Sequence, residues 1–315
     1  MLRMTNILPE WLTAMLVENR VTTDGLILKD RLLEKKKRRD FELEWEEHRE
    51  KKMTRTWGFE AQKRLEQLFL ETDSSPDEIS QLTILDAGCG NGLLTGAIAS
   101  LGAKVIGVDI IDNLELITKE RRKPDTLFFL HADIQNLPFK ESSFDLIISN
   151  GVLHHTPDTK NSFLQLAKLV KPGGKFYVWL YRKPFKLKNR LLLFGFDIVR
   201  NIVSHLPKQL QKPIVSSIAK SIFLVRRFRK RKDQLKGYND LLIDLYDSLT
   251  PRYRHYHTPI ELAGWFREAC FSAPVLSHWD NSFGFGMYAH KTEGWIKTPG
   301  ENYDKDHPDF TRHLS

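Results

Sequence analysis

Leu85-Asp86-Ala87-Gly88-Cys89-Gly90-Asn91-Gly92 joins two segments of different period. Before it, LTILDAG at 82–88 is a short apolar run ending in glycine, the signature of a buried strand. After it, Leu93, Leu94, Ala97, Ile98 and Leu101 recur at helical spacing on one stripe. A strand therefore feeds a helix through a loop of alternating glycines. Glycine permits sharp turning and close approach of backbone to a ligand, and a helix N-terminus offers free N–H donors. A dinucleotide-binding loop shares this location but spaces its glycines G-x-G-x-x-G. Here the third glycine comes one position early, at Gly92, and position 93 is Leu. A loop that holds no pyrophosphate can surround an amino-acid moiety instead.

Working outward, strand and helix patterns alternate. AKVIGVDI at 103–110 reads as a second buried strand, and 112–122 as a helix closed off by Pro124. Segments 127–131 and 144–149 read as further strands. Asp158 or Thr159 can cap a helix with Phe163, Leu166, Ala167 and Val170 inward. KPGG at 171–174 reads as a turn and KFYVWLY at 175–181 as a fifth strand. Such alternation with short connections predicts an α/β fold: a Rossmann-like, doubly wound, mostly parallel sheet. Asp109, at the end of the second strand, lies 21 positions after Gly88. A carboxylate there can take both hydroxyls of a ribose in a paired hydrogen bond.

LDAGCGNG, VIGVD, HADIQNLPF, FDLIISNGVLHHTPD and LVKPGGKFYVWLY, in this order and spacing, resemble the type 11 class I methyltransferases that use S-adenosylmethionine (SAM). The ubiquinone and menaquinone pathway methyltransferases are relatives of that family. The resemblance is dense over about 100 residues and weaker over 251–290. It implies SAM as cofactor, with Gly88, Cys89, Gly90 and Gly92 lining its loop and Asp86 helping to hold the methionine end. It implies Asp109 on the ribose and Ile110 against the adenine. Asp133 would accept from the adenine amino group, with a backbone contact from Ile134. Asn150, Gly151 and Val152 would sit near the methionine part and the transferred methyl.

A sulfonium methyl is already activated, so alignment and exclusion of water are the main catalytic demands. An oxygen or nitrogen acceptor can also need a base, and His154 or His155 is placed for that role beyond the fourth strand; loop orientation is the alternative reading. The resemblance leaves the acceptor open. A small-molecule or lipid-like acceptor, methylated at oxygen, is the leading reading. The basic runs raise methylation of RNA or protein as an alternative, but no N-P-P-Y signature is present and no nucleic-acid partner is expected. A SAM-binding regulatory protein without catalysis is a third.

The flanks predict five units. Residues 1–80 read as a helical cap ending in a linker at 72–80 (TDSSPDEIS), and 81–181 as the SAM-binding core. Residues 182–250 read as a helical insertion or lid after strand 5, 251–292 as the C-terminal part of the core, and 293–315 as a polar tail. In the cap, Phe41, Trp45, Trp57 and Phe59 interleave with Arg49, Arg55 and Arg64, which suits either an acceptor surface or packing onto the core. Thr258-Pro259-Ile260-Glu261 is a capping box that starts a helix, and two closing strands follow within 273–291.

The insertion carries two apolar stripes, Leu187/Leu191/Phe194/Ile198/Ile202 and Ile214/Ile218/Ile222/Val225, next to the basic run Arg226–Lys232. Stripes this broad need cover from the core, a second subunit, a lipid or an apolar substrate. Peripheral membrane contact and a lid packed inside the monomer are both open at this point, as are monomer and homodimer. Net charge is +8, concentrated in Lys35–Arg39 and Arg226–Lys232, while Glu42–Glu50 is mostly acidic. Only Cys89 and Cys270 are present, which suggests neither a disulfide framework nor a metal site. With no leader pattern and no apolar run of spanning length, a cytoplasmic protein is expected.

Overall fold

The computed structural model describes residues 8–24, 27–32, 55–56, 59–111, 125–228, 237–278 and 283–292. The cap aromatics Phe41, Trp45 and Trp57, the charge runs 35–39 and 42–50, the helix expected at 112–122, the basic run beyond Phe228 and the tail lie outside these residues.

The core sheet has β5 (Thr83–Ala87) at its centre, flanked by β6 (Lys104–Asp109) and β8 (Phe144–Asn150), with β7 (Leu127–His131) beyond β6 and β9 (Val170–Tyr181) beyond β8. All four of these pairings are parallel. β11 (Gly284–His290) and β10 (Val275–Leu276) add antiparallel strands outside β9. The chain runs outward from β5 to β7, then returns past β5 to form β8 and β9. The strand direction of travel thus reverses between β5 and β8, where doubly wound sheets open their ligand crevice. The doubly wound, mostly parallel α/β architecture agrees with the sequence reading.

Helices α4 (Leu93–Ser100), α5 (Thr159–Lys168) and α9 (Pro259–Glu268) cover the sheet. Asp158 caps α5 by accepting from Asn161 N at 2.9 Å, and the Thr258/Glu261 capping box starts α9. The core divides between the two faces. Phe163, Phe176, Phe266 and Phe285 fill one cluster, and Leu68, Ile84, Val105, Phe129 and Tyr177 fill the other.

The N-terminal region departs from the helical cap. It does hold α1 (Glu10–Met15), and α2 (Ala61–Thr72) packs near the sheet. But β1 (Val21–Asp24) and β2 (Ile27–Asp30) form a hairpin whose second strand joins β7 in parallel, extending the main sheet. A smaller pair, β3 (Arg55–Thr56) and β4 (Phe59–Glu60), stands apart from it. The hairpin follows from Val21, Thr22, Thr23 and Ile27, which are β-branched, and pairs Asp24 with Ile27 at its inner end. Arg20 ties it down, donating to Asp30 Oδ2 at 2.6 Å and to Asn136 O at 2.8 Å.

Two smaller readings also change. The expected linker at 72–80 contains α3 (Pro76–Ser80). Ser75 accepts from Glu78 N, Pro76 stands in the first turn, and Asp77 and Glu78 complement the N-terminal dipole. KPGG is not a turn before the strand but the irregular start of β9, with a register shift opposite Phe144 and Gly173 at φ +78°.

The insertion is helical: α6 (Leu187–His205), α7 (Lys208–Phe228) and α8 (Tyr238–Leu249). These helices share their own apolar cluster, built on Val203, Val215, Leu242 and Tyr246. The second stripe contributes Ile214, Ile218 and Ile222 to that cluster. The first stripe does not: Leu187, Leu191, Phe194, Ile198 and Ile202 point outward.

Candidate functional site

The loop after β5 is built around three glycines. Gly88, Gly90 and Gly92 have φ of +91°, +53° and +63°, the left-handed region that favours glycine. A Cβ on Gly88 would lie 2.3 Å from Val152 Cγ2. The loop after β8 therefore closes directly onto the glycine loop, and Ser149 Oγ, which donates to Ala87 O at 3.3 Å, reinforces that approach. The amides of Gly88 and Cys89 both donate to Val108 O, binding the loop to β6. Cys89 is buried, and burial raises its thiol well above the ordinary value, so it lines the loop as a small apolar residue.

Asp109 stands at the end of β6. Its Oδ2 accepts from Gly90 N at 2.8 Å, and its Oδ1 from Ile110 N at 2.7 Å and Ile111 N at 3.2 Å. Three donors fill three of roughly four acceptor positions on a carboxylate, so the free position is on Oδ2, beside Gly90. Burial raises the Asp109 carboxyl, and these backbone donors oppose that rise.

Asp86 is buried beneath the loop and accepts from Thr95 Oγ1 at 2.6 Å. Burial pushes its carboxyl up to about 6, the Thr95 hydrogen bond counters this, and the charge of Asp109 adds to it. Arg64 of α2 is also buried, and its positive charge lowers the Asp86 carboxyl. Arg64 donates to Gln67 Oε1 at 2.8 Å. The sequence placed Arg64 with the cap aromatics, whereas in the fold it sits below the loop. Thr95 was not singled out, although its position three residues into the helix after Gly92 aims it back at β5.

The loop after β7 carries Asp133, whose Oδ1 accepts from Gln135 N at 3.0 Å, and the buried Ile134. His131 Nε2 lies 3.0 Å from Ile110 O, joining this loop to the end of β6. Asn150, Gly151 and Val152 follow β8, with Gly151 at φ +79° and its amide donating to Trp179 O. The fold thus brings all the proposed cofactor residues to one end of the sheet.

His154 and His155 form the turn beyond them, and their environments differ. His154 is fully buried and tilted against Tyr181 with ring centroids 4.0 Å apart, and among the described residues neither ring nitrogen has a hydrogen-bond partner. Burial lowers its pKa far below the ordinary value, helped by the positive charges of His155 and Arg254, so its ring is neutral. His155 Nδ1 lies 3.0 Å from Tyr253 O and its Nε2 lies 3.5 Å from Asp247 Oδ1. Asp247, on α8, also accepts from the Tyr181 hydroxyl. Burial opposes ionisation of Asp247, but the hydrogen bond and charge of His155 and the hydroxyl of Tyr181 outweigh it and hold the carboxyl below its ordinary value. Arg254 packs over Tyr181, Phe196 and Tyr256 at 4.5–5.4 Å from the ring centroids. Tyr181, Asp247 and Arg254 were invisible in the sequence because each gains meaning only through distant partners.

Residues 85–178 match the family model of the type 11 methyltransferase domain. That segment runs from β5 through most of β9. An uncharacterized methyltransferase of Mycobacterium bovis is 36% identical over 108 residues, covering 34% of this chain and 54% of its own length. A ubiquinone biosynthesis O-methyltransferase of Coxiella burnetii is 36% identical over 105 residues, covering 33% of this chain and 45% of its own. The chain thus spans about half the length of these curated relatives. Among solved structures, the 1,6-didemethyltoxoflavin-N1-methyltransferase of Burkholderia thailandensis is 19% identical, covers 67% of this chain and 72% of its own, and superposes with a TM-score of 0.41.

Proposed function

We propose that this protein transfers a methyl group from SAM to a small-molecule or lipid-like acceptor. The observation that carries this reading is the cradle at the crevice: three glycines at positive φ, with Val152 against Gly88 and Gly90 N joined to Asp109, within the segment that matches a methyltransferase domain. These residues fit the cofactor. Backbone without Cβ atoms leaves room for its methionine end, Oδ2 of Asp109 keeps acceptor capacity for a ribose hydroxyl, and Arg64 and Asp86 supply opposite charges for an amino acid's carboxylate and ammonium. Bound there, SAM supplies a sulfonium methyl that needs no further activation.

The chain's own residues then have three tasks. The glycine loop and Asp109 orient, Val152 and the loop after β8 restrict access, and His154 faces the acceptor. Both ring nitrogens of His154 lack a hydrogen-bond partner among the described residues, whereas His155 is engaged by Tyr253 O and Asp247. This division favours an acceptor that gives up a proton, such as a hydroxyl, and a relative that is an O-methyltransferase points the same way.

Calorimetric titration with SAM tests the reading. Asp109→Ala removes a buried charge-assisted hydrogen bond worth about 1.5–3 kcal/mol, equivalent to a loss of about 10- to 150-fold in affinity. Unchanged affinity would overturn the cofactor assignment.

A further inference from the structure

We infer that the outward face of α6 docks this protein on an anionic lipid surface. The helix has two apolar sides. Phe196 and Val203 turn inward, onto the cluster shared with α7 and α8. On the other side, Leu187, Leu191, Phe194, Ile198 and Ile202 are between 49% and 68% exposed. At 3.6 residues per turn these five fall within an arc of about 80°, a continuous stripe along the whole helix. Phe185, just before the helix, is exposed as well. Single exposed apolar residues are ordinary, but a stripe of this length left uncovered marks an interaction surface.

Charge names the occupant. Residues 182–228 hold eleven Lys and Arg against a single carboxylate, Asp197, while the whole chain nets +8. The remainder of the protein is therefore net acidic, and the cationic excess belongs to this region. Asp197 is turned to Arg200 and Tyr256. Lys188 and Arg190, both exposed, flank the stripe on opposite sides, and Lys186 stands at the helix N-terminus. An apolar stripe bordered by cations is the pattern of a helix lying in a lipid interface, with side chains in the acyl boundary and ammonium groups among anionic headgroups. A second copy of this chain would bring the same cations together around the stripe, which disfavours self-association. No helix among the described residues is long and apolar enough to cross a membrane, so the contact is peripheral. α6 begins just after β9, whose end carries Tyr181 at the candidate site, so a docked protein would hold that site near the lipid. The inference does not depend on methyl transfer.

Flotation of the full chain with phosphatidylglycerol or phosphatidylcholine vesicles, at low salt and at about 0.5 M salt, where the Debye length shrinks to a few Å, tests it. Binding to the anionic vesicles, weakened by salt and weak on neutral ones, is expected. Leu191→Glu with Phe194→Glu should reduce that binding at least about ten-fold with circular dichroism and thermal melting unchanged, since both side chains are exposed. A second variant, Lys186→Gln with Lys188→Gln and Arg190→Gln, should lose the preference for anionic lipid. Failure of the wild type to float with anionic vesicles would overturn the inference, as would wild-type binding by the folded Glu variant. A wild-type dimer that the Glu substitutions dissociate, with no vesicle binding, would assign the face to self-association and equally overturn it.

Discussion

His155 Nε2 lies 3.5 Å from Asp247 Oδ1, across 92 positions of sequence, and this pair fastens the helical insertion to the loop that follows β8. The same carboxylate accepts from Tyr181 at the end of β9. One side chain of α8 therefore holds two elements of the core sheet and its loops. Asp247→Ala should destabilise the protein by about 1–3 kcal/mol, the cost of leaving buried partners unsatisfied, and should expose 182–250 to limited proteolysis before the core unfolds. The pH dependence follows from the lowered carboxyl. The pair's contribution is present above the ordinary aspartate value and is lost as pH falls through the lower folded-state value. A variant with wild-type melting and protease resistance would show that the pair holds nothing.

Gly88 and Val152 define a second dependence. Gly88→Ala places a methyl 2.3 Å from Val152 Cγ2 at a backbone angle of +91°, so crowding and strain combine to cost about 1–3 kcal/mol. Because the crowding is with one side chain, Val152→Ala should recover part of the loss, leaving the backbone strain. Thermal melting of both single variants and the double variant reads the coupling. Strict additivity would mean that Val152 does not bear on the loop.

How much of this was legible in the sequence varies with the range of the interaction. The glycine loop, the strands around it and the strand-end position of Asp109 are local patterns, and they appear where periodicity and spacing placed them. The hairpin β1–β2 was also written locally, in the β-branched Val21, Thr22, Thr23 and Ile27, but the surrounding charged segments drew the whole region toward helix. The stripe on α6 was visible as a period, yet a period does not say which side meets the core: Phe196 and Val203 took that place and left the longer stripe outside. Arg64, Tyr181 and Asp247 act through partners far along the chain, which spacing cannot report.

Asp86 gives a pH prediction. Burial raises its carboxyl from 3.8 to about 6 in the fold. Between these values the folded chain holds a proton that the unfolded chain has released. Stability from the neutral acid is therefore fully present below 3.8 and lost as pH rises through 6, by about 3 kcal/mol. Asp86→Asn should flatten that decline in the ligand-free protein. SAM carries an ammonium that favours the ionised form, so binding near pH 6 should release a proton, read as a dependence of calorimetric heat on the buffer's ionisation enthalpy. Heats independent of buffer would separate Asp86 from the ligand.

His154 and His155, adjacent in sequence, should separate in kinetics. His154 is neutral, fully buried and without a partner at either nitrogen, whereas His155 is engaged at both ends. His154→Gln retains hydrogen-bonding groups but cannot accept a proton, so turnover should fall by about 100-fold, the lower range for a general base, with little change in SAM affinity or melting temperature. His155→Gln should do the reverse, lowering stability through Asp247 while sparing the chemical step. The pH profile adds an independent readout. Because burial depresses the His154 pKa, its basic form persists well below pH 6.5, and kcat/KM should show no acid limb at the ordinary imidazole value. Full turnover in His154→Gln would leave alignment of the acceptor as the sole catalytic device, and a loss of turnover confined to His155→Gln would transfer the role to its neighbour.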